Sequence, residues 1–211
     1  MNFLTTKDFS SDQLRDLVEL AGSLKASRGA GARPLEGRSV ALVFFNPSLR
    51  TRASMQIGIF ELGGNPVLLE PGSSSWTLEH RLGVVMDSDK TEHLAEFVGV
   101  LGRYVSAIGV RTFAELRDWD AEREDPVLTA FAKYSPVPVI NLESAMHHPC
   151  QAMADMMTIQ EKRGKGKKKV LLTWAWHPKP LPMAVPNSFA LAAMNWRPFS
   201  AKISNWRLAQ L

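Results

Sequence analysis

Short runs of β-branched and large apolar residues alternate along this chain with longer stretches of helical periodicity, and that alternation constrains the fold most. The strand-like runs are 39–45 (SVALVFF), 65–70 (NPVLLE), 106–111 (SAIGVR), 137–142 (VPVINL) and 169–175 (KVLLTWA). Helical stretches are expected between them at 51–63, 92–104, around 113–119, at 126–134 and at 149–164, the last with Pro149 at its first position and Gly164 at its end. Before the first strand, Ser10 and Gln13 form a capping-box pattern. Leu14, Leu17, Val18, Ala21 and Leu24 then recur at helical spacing, and the helix should stop before Gly29. Repeated βα units predict an α/β fold, a parallel sheet flanked by helices. The 149–164 helix stands where it would lead from a first domain, 1–150, into the start of a second, 151–211.

Ligands of open α/β sheets collect at the carboxyl ends of the strands, and four clusters fall there. The first follows the 39–45 strand: Ser48, Leu49, Arg50, Thr51 and Arg52 crowd the expected start of a helix. A helix N-terminus favours anions, and arginine grips phosphate oxygens bidentately. Taken alone, this stretch is either a phosphate site or a helix cap with solvent-facing arginines. The second is Arg111, closing its strand. The third is Glu143 with His148-Pro149-Cys150-Gln151, and the fourth is His177 within HPKPL. Together they offer arginines, a histidine, a glutamine and hydroxyls, a set suited to a dianionic phosphate beside an amide-like group.

Several classes are set aside. The chain has no Walker-type phosphate loop. Gly29-Ala30-Gly31 has no strand before it and no third glycine in place, so a dinucleotide fold is disfavoured. One cysteine, Cys150, allows no internal disulfide and no multi-cysteine metal site. No apolar run is long enough for a membrane span, and the first residues lack a leader pattern, so a cytoplasmic protein without membrane contact is expected. The net charge of +4 hides an asymmetry. All 21 acids lie at or before Glu161, and residues 162–211 carry 10 Lys and Arg with no acid. The basic run 163–169 has no interleaved aromatics and reads as a solvated loop, not a nucleic-acid surface.

The Ser48-Leu49-Arg50-Thr51-Arg52 loop and the His148-Pro149-Cys150-Gln151 motif, about a hundred residues apart, resemble the two marks of the aspartate/ornithine carbamoyltransferases. FFNPSLRTR, the Trp76 loop leading into VVMDSDKTEH, and TWAWHPKPLPMAVPNSF resemble the N-acylornithine branch of that family. The resemblance implies carbamoyl phosphate and an N-acylornithine as substrates, with no metal and no organic cofactor. It assigns Ser48, Leu49, Arg50, Thr51, Trp76, Arg111, His148 and Gln151 to carbamoyl phosphate, with Arg50, Thr51 and His148 catalytic. It assigns Thr91, Glu143 and His177 to the acylated ornithine. Arg52 is expected to hold the loop by internal pairing. Trp76 matches a residue supplied by a neighbouring subunit, which implies a homotrimer in the full-length form. The resemblance puts glutamate at the position of Thr91 in the N-acetyl enzymes and proline in the N-succinyl enzymes, so N-succinylornithine is the expected acceptor, with N-acetylornithine second and ornithine third, and an inactive fragment that binds only the phosphate ligand as the other alternative. Thr91 could instead merely cap the helix that follows. The resemblance fades after about Ala193, where residues 195–211 show no strand pattern and no acid. That tail reads as aberrant, as from a fragment or a shifted frame, and the second domain as incomplete.

Overall fold

The computed structural model describes residues 1–81, 83–87, 89–164, 166, 168–172, 183–195 and 199–201. In chain order, a 3-10 turn (Thr6–Asp8) precedes α1 (Ser11–Ala26), β1 (Ser39–Phe44), α2 (Arg50–Glu61) and β2 (Asn65–Leu69). Two short strands, β3 (Leu78–Glu79) and β4 (Glu92–His93), lead into α3 (Leu94–Leu101) and β5 (Ala107–Arg111). Then come α4 (Trp119–Glu122), α5 (Pro126–Tyr134), β6 (Val139–Glu143), α6 (Pro149–Arg163), β7 (Lys168–Val170), α7 (Ala184–Asn195) and β8 (Phe199–Ala201).

The main sheet runs β2-β1-β5-β6, and every pairing is parallel. From β1 the chain steps one way to β2 and later returns on the other side to β5, so the order reverses between β1 and β5. Such a reversal opens a crevice at the strands' carboxyl ends. Alternate residues of β1 serve opposite faces, as a sheet covered on both sides requires. Ala41 and Val43 join Ile108 and Val110 against Leu94, Val98 and Leu101 of α3 and Leu128 and Phe131 of α5. Val40, Leu42 and Phe44 meet Ile59 of α2 and Leu142 on the other face. A third cluster ties α1 to α6 and α7 through Leu14, Val18, Ala152, Met156, Ala192 and Ala193. The Ser10–Gln13 capping box forms as expected, and Gly164 ends α6 at a positive φ of 73°.

Four local expectations are corrected. Residues 113–118 are not helical: Leu116 is left-handed (φ 61°), and the amides of Leu116, Arg117 and Asp118 turn to the Glu122 carboxylate instead of a carbonyl one turn back. Glu92 and His93 do not begin a helix but pair with Leu78 and Glu79, and α3 starts at Leu94. The cap of α3 is His93, whose Nδ1 accepts from the Ala95 N–H at 3.1 Å, so Thr91 is not its cap. The tail expected to lack a strand supplies one, since Phe199–Ala201 pairs in parallel with Lys168–Val170. Among the described residues no helix is long and apolar enough to cross a membrane.

Candidate functional site

β1 ends at Phe44, and the chain turns outward through Phe45-Asn46-Pro47 into α2. Leu49 holds the N-cap position, 89% exposed, and its side chain has no capping atom to offer. A helix start of this length would ordinarily use Ser, Thr, Asp or Asn to satisfy its first amides. Here those N–H groups stay available, next to Ser48, Arg50 and Thr51. Arg50 is exposed and has no hydrogen-bond or ion-pair partner among the described residues. Arg52 behaves as expected: its Nη1 meets Glu70 Oε1 at 2.9 Å and so ties α2 to the end of β2.

Across the crevice β5 ends in Arg111. The β5–β6 register shifts between Val110 and Arg111, so Val110 faces Asn141 while Arg111 faces Glu143. Bulges of this kind re-aim side chains next to sites. Arg111 Nη2 lies 2.9 Å from Glu143 Oε2, its Nη1 donates to the Pro47 carbonyl at 3.4 Å, and its guanidinium stacks 4.3 Å over the Phe113 ring. Two links lace the outgoing β1 loop to β5: Phe45 N–H donates to the Arg111 carbonyl and Phe113 N–H to Asn46 Oδ1. His148 then brings its Nε2 to 3.6 Å from Glu143 Oε2. Burial, aided by the Arg111 charge, holds His148 at about 4, well below its ordinary value. The ring is therefore neutral at pH 7, and its approach to Glu143 is not an ion pair. Burial pushes Glu143 upward against the opposing pull of Arg111. Two buried nitrogens in this cluster, Arg111 Nε and His148 Nδ1, have no partner among the described residues. Buried polar atoms are nearly always paired, so the cluster is chemically incomplete by itself.

The remaining expected residues divide. Gln151 sits exposed on the first turn of α6 and donates to Asp155 Oδ1 at 2.8 Å, so it is near the cluster in sequence but engaged elsewhere. Trp76 is 55% exposed on its loop, and its indole N–H donates to Glu92 Oε2 at 3.1 Å. With β3 paired to β4, that bond brings the Trp76 loop alongside Thr91, which is exposed. His177 lies outside the described residues. Sequence reading missed Asn46, Asn141, Ser144 and Ser188, which hold the loops by hydrogen bonds. Small polar residues in loops carry no periodicity, so only their partners reveal them.

The charge state of His148 has a measurable consequence. The unfolded imidazole titrates near its ordinary value and the folded one at about 4. Between those limits the unfolded chain binds more protons, so this contribution is complete above the ordinary value and is lost as pH falls toward 4. Urea melts at pH 7 and pH 4.5 should show His148→Gln losing about 2 kcal/mol less than the parent over that interval. Equal losses in the two proteins would mean that His148 is not buried as a neutral ring.

An open parallel α/β sheet whose strand order reverses between β1 and β5, with an uncapped helix start and an Arg–Glu–His cluster at the reversal, belongs to the doubly wound class. The family profile described as "Aspartate/ornithine carbamoyltransferase, carbamoyl-P binding domain" matches residues 1–161, and the chain belongs to that family. It is 52% identical over 191 residues to the N-acetylornithine carbamoyltransferase of Xanthomonas campestris, covering 89% of this chain and 55% of the relative. It is 46% identical over 153 residues to the N-succinylornithine carbamoyltransferase of Bacteroides thetaiotaomicron, covering 72% of this chain and 48% of the relative. A solved N-acetyl-L-ornithine transcarbamylase variant complexed with PALAO matches with a TM-score of 0.87 at 49% identity, over 92% of this chain and 59% of that one. Another variant, complexed with carbamyl phosphate and N-succinyl-L-norvaline, matches at 0.85 and 50% identity, with the same coverage. The chain spans about half the length of the curated relatives it matches.

Proposed function

We propose that this chain carries the carbamoyl-phosphate site of an N-acylornithine carbamoyltransferase, which passes the carbamoyl group to the δ-amino group of N-succinyl-L-ornithine. The observation that carries the reading is the uncapped start of α2, with Arg50 free beside it, facing a cluster whose Arg111 and His148 each keep a buried unpaired nitrogen. The α2 amides, Ser48, Arg50 and Arg111 would hold the phosphate, and Leu49 contributes through its backbone. The acceptor amine attacks the carbonyl carbon, forming the C–N bond, and the C–O bond to phosphate then breaks. Thr51, Arg50 and the neutral His148 donate to the oxyanion of the tetrahedral intermediate, usually the largest catalytic contribution. An alkylamine holds its proton up to about 10.4 in water, and the departing phosphate takes that proton. Gln151 orients the carbamoyl NH2 once it leaves Asp155, while Glu143 and His177 meet the acylated ornithine.

The acyl group is read from Thr91. A glutamate there would repel the succinyl carboxylate, whereas a threonine hydroxyl can donate to it. Four of the matched N-acetyl-L-ornithine transcarbamylase structures have a glutamate replaced and hold carbamyl phosphate with N-succinyl-L-norvaline, which supports this logic. The longer alignments are to N-acetyl enzymes, so N-acetyl-L-ornithine is the competitor to measure. A homotrimer that inserts the exposed Trp76 into a neighbour's site completes the reading. Calorimetry with carbamoyl phosphate, citrulline-forming assays with both acceptors, and the mass in solution test it together. The expected result, in a form completed by a second domain, is binding of carbamoyl phosphate by a trimer, with succinylornithine the better acceptor and its turnover lowered by Thr91→Glu far more than that of acetylornithine. Binding without turnover would identify a phosphate-ligand protein instead. A parent that prefers acetylornithine would overturn the acyl choice.

A further inference from the structure

We propose that Asp125, which belongs to none of the sequence motifs, is the positioning residue that sets the loop carrying Glu143 and His148. The proposal rests on the carbamoyl-phosphate reading for its functional meaning. Asp125 stands before Pro126 at the start of α5, where an aspartate ordinarily caps its own helix. It does not do so here. Its backbone is left-handed (φ 47°, ψ 54°), which is costly for a residue with a Cβ, and its side chain makes no capping bond. The carboxylate turns inward instead, leaving the residue 8% exposed. Oδ2 accepts the Ser144 hydroxyl at 2.7 Å and Oδ1 the Met146 N–H at 3.3 Å.

From there one buried chain of hydrogen bonds reaches the site. Ser144 Oγ accepts from Asn141 Nδ2 and from the His147 N–H, both at 3.1 Å. Asn141 Oδ1 accepts the Glu143 N–H at 3.0 Å. On its other side the loop is held by α7, where Ser188 Oγ accepts the His148 N–H at 2.6 Å and Asn187 Nδ2 donates to the Met146 carbonyl at 2.7 Å. The donors that meet Asp125, the Ser144 hydroxyl and the Met146 and Ala145 amides, are neutral, and burial pushes its carboxyl above the ordinary range. A strained backbone and a desolvated acid are both unnecessary for starting a helix. Strain of this kind persists where the surroundings over-determine it, and what these surroundings determine is the position of Glu143 and His148.

Asp125→Asn tests the carboxylate with little change of shape, because asparagine tolerates the left-handed backbone yet offers one acceptor oxygen where two donors converge. Ser144→Ala breaks the same chain one link later. In the 211-residue protein both variants should melt cooperatively within a few degrees of the parent. The NMR titration of His148, held at about 4 in the parent, should then rise by about one unit or more as water reaches the ring. Carbamoyl-phosphate affinity by calorimetry should fall about fivefold or more. The double variant should be no worse than the worse single, since both cut one chain. If Asp125→Asn does not fold, Ser144→Ala alone carries the test. A folded variant with an unmoved His148 titration would overturn the proposal, as would loss of folding in both variants, which would reduce Asp125 to an anchor of α5. The titration needs no ligand, so failure of the parent to bind carbamoyl phosphate would count against the functional reading and leave the positioning result standing.

Discussion

Arg50→Ala should lose carbamoyl-phosphate binding while leaving the fold intact. Arg50 is exposed, begins α2, and has no partner among the described residues, so its removal breaks no internal contact. Exposed substitutions of this kind shift stability by about 0.5 kcal/mol or less. The binding cost is much larger. A bidentate, charge-assisted grip on a phosphate is worth about 3 kcal/mol, or roughly a hundredfold in affinity. Arg111 does not replace Arg50, because in the proposed site it already holds the phosphate and its position is fixed by Glu143 and the Pro47 carbonyl. Arg52→Ala is the informative contrast. It removes the 2.9 Å pair with Glu70, so its effect should appear in the melting curve more than in the binding isotherm. Near-parental affinity in Arg50→Ala, or a larger binding loss in Arg52→Ala, would move the phosphate away from the start of α2.

Phe131→Ala should be the most damaging single change to the fold. Phe131 is fully buried on α5 and takes edge-on contacts from Phe45 at 6.1 Å and Phe97 at 6.3 Å between ring centroids. It thereby joins α5, α3 and the residue that leads from β1 toward α2. Emptying such a site costs about 3–5 kcal/mol, since the lost transfer energy adds to that of the cavity. A domain's whole stability is about 5–15 kcal/mol. The melting temperature should fall by about 10 °C or more, and Phe131→Leu should recover most of that loss. A drop of only one or two degrees would mean that the three aromatic rings are not what locks α5 to the sheet.

The elements that sequence alone delivered are those whose physics is local. The 126–134 and 149–164 stretches fold as α5 and α6 nearly to the residue, because proline at the first helical position marks each start and Gly164 marks one end. Unbroken apolar runs became central parallel strands, since a strand covered on both faces has no polar side to show. Where expectation failed, a partner outside the segment decided the outcome. Residues 113–118 have acceptable helical composition, yet the Glu122 carboxylate gathers three of their amides. Glu92 and His93 were drawn into a strand by Leu78 and Glu79. Phe199–Ala201 likewise became a strand by pairing with Lys168–Val170.

The site divides along the same line. Sequence by itself determined the helix start after β1 and marked it as a candidate phosphate loop, because Ser48, Arg50 and Thr51 are contiguous with it and act through nearby amides and charge. It also supplied Arg111, Glu143 and His148 as candidates at strand ends. Only the tertiary structure decided that a register shift puts Arg111 against Glu143, that His148 stays neutral beside them, and that the Ser144 hydroxyl donates to Asp125, 19 residues away in sequence. The physical reason is range. Periodicity, caps and turns are set by neighbours along the chain, whereas desolvation and buried hydrogen bonds depend on which segments the folded sheet brings together.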